Sequence, residues 1–276
     1  MKWFLCAACV VGVCAPAFSA GPQQDPHALV AQMVHNELKT GNQKWFWMYV
    51  DTKQEGGRKE VARVIETPEC WLTWPISVKG DGASDKESQE REKFKQLVND
   101  PAACQRQRAQ VNEDYKKADS LTKILPDAFL YTVENEQDGK IRLKFRPNPH
   151  FKPATREAKV FHNMQGILVI DEKETRLASI EGKLMSDVSF GLGVLARLQK
   201  GGTFKAVQSE IRPQDWELTS LDVHIAGRAL FFKTINEQQH EAKSDFQPVP
   251  KGITLAQAAE MVKKNTNVSA SAEHVE

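Results

Sequence analysis

The sequence predicts an α+β protein built on one large, strongly curved antiparallel sheet, and three observations carry that prediction. Strand-type runs joined by short turns fill most of the chain after residue 126, helical periodicity is confined to the two ends and one charged insertion, and no repeat of fixed period suggests a propeller or solenoid. At 276 residues the chain is long enough for one large β-rich domain. Its 41% hydrophobic and 26% charged composition excludes both wholesale disorder and a bundle of membrane-spanning helices. Basic residues number 37 and acidic residues 36, so there is no excess charge to suit nucleic acid or an acidic membrane surface.

Residues 1–19 read as a secretory signal peptide. Lys2 supplies the positive start, residues 3–13 the apolar run, and Ala15, Ala17 and Ser19 the small positions for cleavage after Ala17 or Ser19. The run breaks at Pro16 and meets a polar stretch at 21–25, too short for a transmembrane anchor. Export to the periplasm is therefore expected. Cys6, Cys9 and Cys14 leave with the signal, and in an oxidising compartment the remaining Cys70 and Cys104 are expected to form one disulfide. No histidine stands at ligand spacing from either cysteine or from another histidine, so no metal site is expected.

Residues 20–264 are expected to form a single domain. Asp25-Pro26 reads as an N-cap and first helical position, with Leu29, Val30, Met33, Val34 and Leu38 as the buried stripe. The aromatic run 45–50, the Gly56-Gly57 turn and residues 58–67 make a hairpin, and alternating apolar residues from Cys70 to Val78 make a third strand. Pro75 places that strand at an edge or a kink. Residues 79–124 form a charged helical insertion, with Ser84 and Glu87 at capping-box spacing and Asp100-Pro101 opening a second helix. A meander follows. Residues 128–135 and 140–146 flank a turn at Gln137-Asp138-Gly139, and further strands are expected at 157–171, 176–184, 185–190, 202–212, 216–225 and 229–236, with a tight turn at Gly227-Arg228. That makes about eleven strands, a number that tends to curl. Thr254 and Gln257 open a last helix through Lys264, and the polar tail 265–276 is expected to be disordered.

The chain contains no GxSxG, HExxH, paired CxxC or phosphate-loop pattern, so no catalytic residue, cofactor or enzymatic activity is assigned. His162 and His224, placed inside strands, are read as packed or surface residues, and Asp171, Glu172 and Glu174 as solvated turn acids. The row Lys140, Arg142, Lys144 and Arg146 is the wet face of an amphipathic strand. Gly191, Gly193, Gly201 and Gly202 permit bends between strands.

The aromatic supply says more. Trp45, Trp47 and Tyr49 share one face of their strand while Phe46, Met48 and Val50 share the other, and the same two-sided character recurs around Phe129 and Tyr131 and around Phe231. Strands apolar on both sides need cover on both sides, by helices on one and a ligand on the other. Trp45, Trp47, Tyr49, Phe129, Tyr131 and Phe231 are the candidate ligand-lining residues.

The order of signal peptide, N-terminal helix, aromatic strand, helical insertion and meander coincides with specific strand and turn residues. These are Met164-Gln165-Gly166-Ile167-Leu168-Val169-Ile170-Asp171, then Arg176-Leu177, Ile180-Glu181-Gly182 and Lys200-Gly201-Gly202-Thr203-Phe204. Together they resemble the periplasmic lipoprotein-carrier superfamily of outer-membrane lipoprotein-sorting (LolA/LolB-like) proteins, most closely over residues 145–233. The resemblance implies an unclosed β-barrel with helices covering its mouth and an apolar cavity that takes up lipid or lipoprotein acyl chains. The expected function is then a periplasmic carrier or sensor of an apolar ligand. An envelope structural or interaction module, with a protein partner on the helical insertion, is the alternative, and a lipid-acting hydrolase comes third. No functional residue carries over by position.

Overall fold

The computed structural model describes residues 25–40, 45–190, 196–229 and 233–264. The signal peptide, the tail and Phe231 lie outside them. Five helices and twelve strands follow in order: α1 (Pro26–Thr40), β1 (Trp47–Glu55), β2 (Arg58–Glu66), β3 (Trp71–Lys79), α2 (Ala83–Asn99), α3 (Pro101–Ala128), β4 (Phe129–Gln137), β5 (Lys140–Pro147), α4 (Arg156–His162), β6 (Met164–Asp171), β7 (Arg176–Leu184), β8 (Val188–Phe190), β9 (Ala196–Leu198), β10 (Thr203–Arg212), β11 (Asp215–Ala229), β12 (Lys233–Pro248) and α5 (Leu255–Lys264).

All strands join one antiparallel sheet in the order β3-β2-β1-β12-β11-β10-β7-β6-β5-β4, with the short β8 and β9 attached to β11. Sequence neighbours pair except where β7 meets β10 and β9 meets β11, around the short β8 and β9, and where β1 meets β12, which brings the first and last strands together within the sheet. The fold class is therefore α+β with a large antiparallel sheet. That sheet is neither closed nor strongly curled, which departs from the half-barrel expected. Its end strands β3 and β4 do not pair with each other among the described residues, and β3 instead lies against α2. On β3's outer side Gln107 takes the place of a strand partner, accepting from the Trp71 N–H and donating to the Trp71 carbonyl, both at 2.8 Å. Gln107 thus closes the β3 edge at Trp71.

Register divides the side chains into two faces. On the α1 face, α1, α4 and the end of α3 bury Phe129, Ile141, Leu143, Phe145, Leu168, Ile170 and Ile180 from β4–β7. Glu37 of α1 fixes this layer, accepting from Arg176 Nε at 2.7 Å, Arg176 Nη2 at 3.0 Å and the Leu177 N–H at 2.8 Å. On the α5 face, α5, α2 and the start of α3 cover Met48, Ile65 and Leu72 of β1–β3. Cys70 and Cys104 form the expected disulfide inside this second cluster, Cα atoms 5.3 Å apart.

Several elements depart from expectation for local reasons. Residues 156–162 are helix, because Thr155 caps them by accepting from the Ala158 N–H at 3.1 Å and Glu157 suits the first turn. His162 consequently ends a helix and is not inside a strand. Helix α2 starts one residue ahead of Ser84, with Gly82 at its N-cap and no side-chain cap. Helix α3 runs past Pro126 to Ala128. Gly227 lies inside β11, where β9 approaches so closely that a Cβ would stand 2.5 Å from the Arg197 carbonyl oxygen. The expected strand at 185–190 shrinks to Val188–Phe190, β9 was not expected, and β12 continues to Pro248 through a polar run. Asp100 and the Thr254/Gln257 capping box sit where predicted, Thr254 N–H donating to Gln257 Oε1 at 2.9 Å.

Candidate functional site

The candidate lining residues fall into two groups on the α1 face. In the first, the Trp47 and Tyr49 rings pack on Phe246 at 6.1 and 5.3 Å, with Val64, Trp71 and Ile211 around them. Trp45 stands beside them at the surface, the Arg212 guanidinium 3.5 Å above its ring and Lys251 at 5.0 Å. Trp47 is 3% exposed and its indole Nε1 has no hydrogen-bond partner in the structure. Burial, aided by Glu66 and Asp51, drives the Tyr49 hydroxyl well above its ordinary pKa.

The second group sits seven strands away along the sheet. Phe129 packs edge-on to Phe145 at 4.7 Å and to Phe161 at 5.3 Å, and the Tyr131 hydroxyl donates to the Leu125 carbonyl at 2.6 Å. Phe231 lies outside the described residues. Between the two groups, register puts Ala206, Leu221 and Val223 on the same face, half-buried. Their neighbours toward β1 are charged. Lys243 lies opposite Asp51, and the Lys243–Glu241 pair stands at 3.5 Å. Asp51 is short of partners, since its Oδ1 is buried and accepts no hydrogen bond. Desolvation, then repulsion from Glu241, outweighs Lys243 and Lys53 and raises its pKa to about 6.

Helix α3 bridges these groups. It packs on both end strands, β3 and β4, and Tyr115 from its middle meets Trp71 at 6.2 Å. Apart from Val111, residues 108–120 are exposed, and ion pairs such as Lys116–Glu113 and Lys117–Asp114 line that span. A helix polar on every side is one that spans solvent between its anchors.

A cavity of about 1010 Å³ lies elsewhere, across β6, β7, β10, β11, β12 and the β1–β2 turn. Its residues form three consecutive cross-strand rows. The middle row, Gly166, Gly182, Phe204, Val223, Gln239 and Glu55, directs its side chains to the α1 face. Phe204 fills that side, because a Cβ on Gly182 would stand 2.6 Å from its ring. The rows on either side direct their side chains to the opposite face. One of them carries Gln165, Lys183, Thr203, His224 and Gln238; the other carries Glu181, Lys205, Asp222, His240, Gln54 and Lys59. None of the lining candidates named from sequence is among the cavity's residues.

Among the histidines, His240 Nδ1 meets Asp222 Oδ1 at 2.5 Å and His224 Nε2 meets Gln238 Nε2 at 3.4 Å, while His162 Nε2 contacts the Asn148 carbonyl at 2.9 Å. Sequence reasoning missed His240, Asp222 and Asp51. The polar β12 run has no alternation to mark it as a strand, so nothing there placed His240 beside Asp222. The turn acids have structural partners: Asp171 accepts from the Glu174 N–H and Glu174 from Trp216 Nε1, both at 2.9 Å. Arg142 and Lys144 of the basic row pair with Glu134 at 2.7 and 2.8 Å. Among the described residues no cluster of three or more His, Cys, Asp or Glu could hold a metal, and no helix is long and apolar enough to cross a membrane.

No protein-family model matches this chain, and neither does any curated protein.

Proposed function

We propose that the chain is an exported carrier or sensor of a ligand bearing acyl chains, taken up on the α1 face beneath helix α3. The observation that carries this reading is the bridging of both sheet ends by α3 over a face that keeps Ala206, Leu221 and Val223 half-exposed. From Cys104 to Leu125 the helix rises roughly 32 Å, at about 1.5 Å per residue. The nine steps from β3 to β4 span roughly 43 Å of sheet at about 4.8 Å each. A helix shorter than the sheet it bridges fits the twist of a large open sheet, with α3 as a strap across the α1 face. The disulfide in the described fold agrees with an oxidising compartment, and hence with export to the periplasm. The charged neighbours Asp51, Lys243 and Glu241 suit an amphipathic ligand with its polar end toward β1.

A second reading, an envelope interaction module without a lipid ligand, is favoured by the close packing of Phe129, Phe145 and Phe161. Native mass spectrometry of protein purified from its own periplasm, followed by lipid extraction, separates the two. The carrier reading expects bound lipid, and expects Leu221→Asp to abolish uptake of a fluorescent fatty acid while the circular dichroism spectrum is unchanged. Acyl burial contributes roughly 0.8 kcal/mol per CH₂, so a true carrier gives an easily measured signal. Protein that emerges lipid-free and leaves the probe's fluorescence unchanged overturns this reading and leaves the interaction module.

A further inference from the structure

We propose that the ligand taken up on the α1 face carries an amine at its polar end, held by the Asp51 carboxylate of β1. This inference deepens the carrier reading above and rests on it. Buried polar atoms without partners are uncommon in folded proteins, and each one asks what completes its hydrogen bond. Among the described residues three side-chain atoms are of this kind: Trp47 Nε1, Asp51 Oδ1 and Asp215 Oδ2. The last is answered in charge by the Arg212 guanidinium at 3.2 Å. The other two stand on one face of one strand. Trp47, Tyr49 and Asp51 alternate along β1, which places the residues bearing the two atoms roughly 13 Å apart at about 3.3 Å per residue. One atom is a donor and the other an acceptor, so a headgroup lying along β1 meets both.

Charge selects the amine. Glu241, Lys243, Lys53 and Glu60 act on Asp51, and each is engaged elsewhere. Lys243, directly opposite, stands 3.5 Å from Glu241, Lys53 stands 3.4 Å from Glu55, and Glu60 has Arg58 at 3.0 Å and Lys86 at 3.7 Å. Asp51 is left half-buried, with an oxygen that accepts nothing. A water molecule or a hydroxyl completes the hydrogen bond but leaves the carboxylate's charge unmatched. An ammonium brings the missing donor and the missing charge together. The neighbouring ring suits the same group, since the Lys243 ammonium already lies 5.3 Å from the centre of Tyr49. At the other end of the row Trp47 Nε1 can only donate, and a phosphate or ester oxygen further along the headgroup accepts from it. A headgroup that is anionic and lacks an amine meets Asp51 and Glu241 as like charges. The occupant that answers both atoms is therefore an acyl-chain lipid with an amine and an acceptor oxygen in one headgroup, the chemistry of an ethanolamine phospholipid.

The test compares lauroyl lysophosphatidylethanolamine, its N-acetyl derivative and laurate on the full exported chain, by calorimetry at pH 7.5 below their micelle concentrations. N-acetylation removes the ammonium and keeps the phosphate and the chain. The free amine should bind about tenfold more tightly than the N-acetyl lipid, which corresponds to about 1.4 kcal/mol. Asp51→Asn should abolish that difference without weakening laurate. Trp47→Phe, which keeps a ring and loses the N–H, should weaken both lysolipids by roughly threefold to tenfold and preserve the difference, as expected for one lost neutral hydrogen bond. A carboxyl carbon titration of the unaltered protein supplies a readout that needs no variant: Asp51, whose pKa is about 6, should titrate lower with the amine lipid bound and not with the N-acetyl lipid. Amide spectra establish that each variant keeps its fold. Equal binding of the two lysolipids, a preference that Asp51→Asn leaves in place, or an Asp51 titration that the amine lipid does not move overturns the amine and leaves the carrier reading standing. Binding of none of the three probes overturns the carrier reading as well.

Discussion

Replacing Asp51 by Asn should stabilise this protein above neutral pH, and the expected size follows from the surroundings of the carboxylate. Asp51 lies on the α1 face with one oxygen buried and unbonded, while Lys243, opposite it, is also engaged by Glu241 at 3.5 Å. Its pKa rises from an ordinary 3.8 to about 6, chiefly through desolvation and secondly through Glu241. A raised folded-state pKa means that the native protein holds the proton more tightly than the unfolded chain does. The resulting stabilisation is complete below about pH 3.8 and is lost as pH climbs through about 6. Two units at about 1.36 kcal/mol each set a ceiling of roughly 3 kcal/mol, and partial solvent access reduces this to about 1–2 kcal/mol. Asn keeps the shape without the charge. In urea unfolding at pH 7.5 the variant should be more stable than the parent by that amount, and at pH 4 nearly equal to it. Identical pH dependence of the two proteins, or a carboxyl carbon of Asp51 titrating near its ordinary value, refutes the reasoning.

Three further outcomes rest on the same packing. Replacing Cys70 and Cys104 together by Ala frees a loop with a sequence separation of 34 and should cost about 4 kcal/mol by chain entropy, seen as a lower urea midpoint; a loss below about 1 kcal/mol refutes it. Glu37→Ala takes the ion-pair carboxylate from Arg176, whose side chain is 7% exposed, and should cost about 3–5 kcal/mol, whereas Glu37→Leu with Arg176→Met should recover much of it in thermal unfolding. Gln107→Ala uncaps both backbone groups of Trp71 and should cost about 1–2 kcal/mol; hydrogen exchange should show the faster opening at the β3 edge first, and uniform loss of protection contradicts the cap.

How much of this was legible beforehand depends on how far each determinant reaches along the chain. Local signals determined local structure: Asp100-Pro101 opens α3, the Thr254/Gln257 box opens α5, and Asp138-Gly139, both at positive φ, turns β4 into β5. The two mature cysteines were enough to name the disulfide. Residues 156–162 went wrong because a β-tolerant composition hid a cap on Thr155. Pairing of β1 with β12 is beyond any local pattern, since it joins residues nearly two hundred positions apart and the β12 run has no apolar period to announce it. That pairing decides what matters most for the candidate sites. It sets Lys243 against Asp51 and aligns His240 with both Gln54 and Asp222 across three strands. Sequence alone therefore determined most of the elements and their apolar sides, through short-range sterics, capping and alternation. Only the tertiary structure decided which charged and aromatic side chains share a face, because in a sheet that choice belongs to the register between strands, and register is settled by the packing of the whole layer.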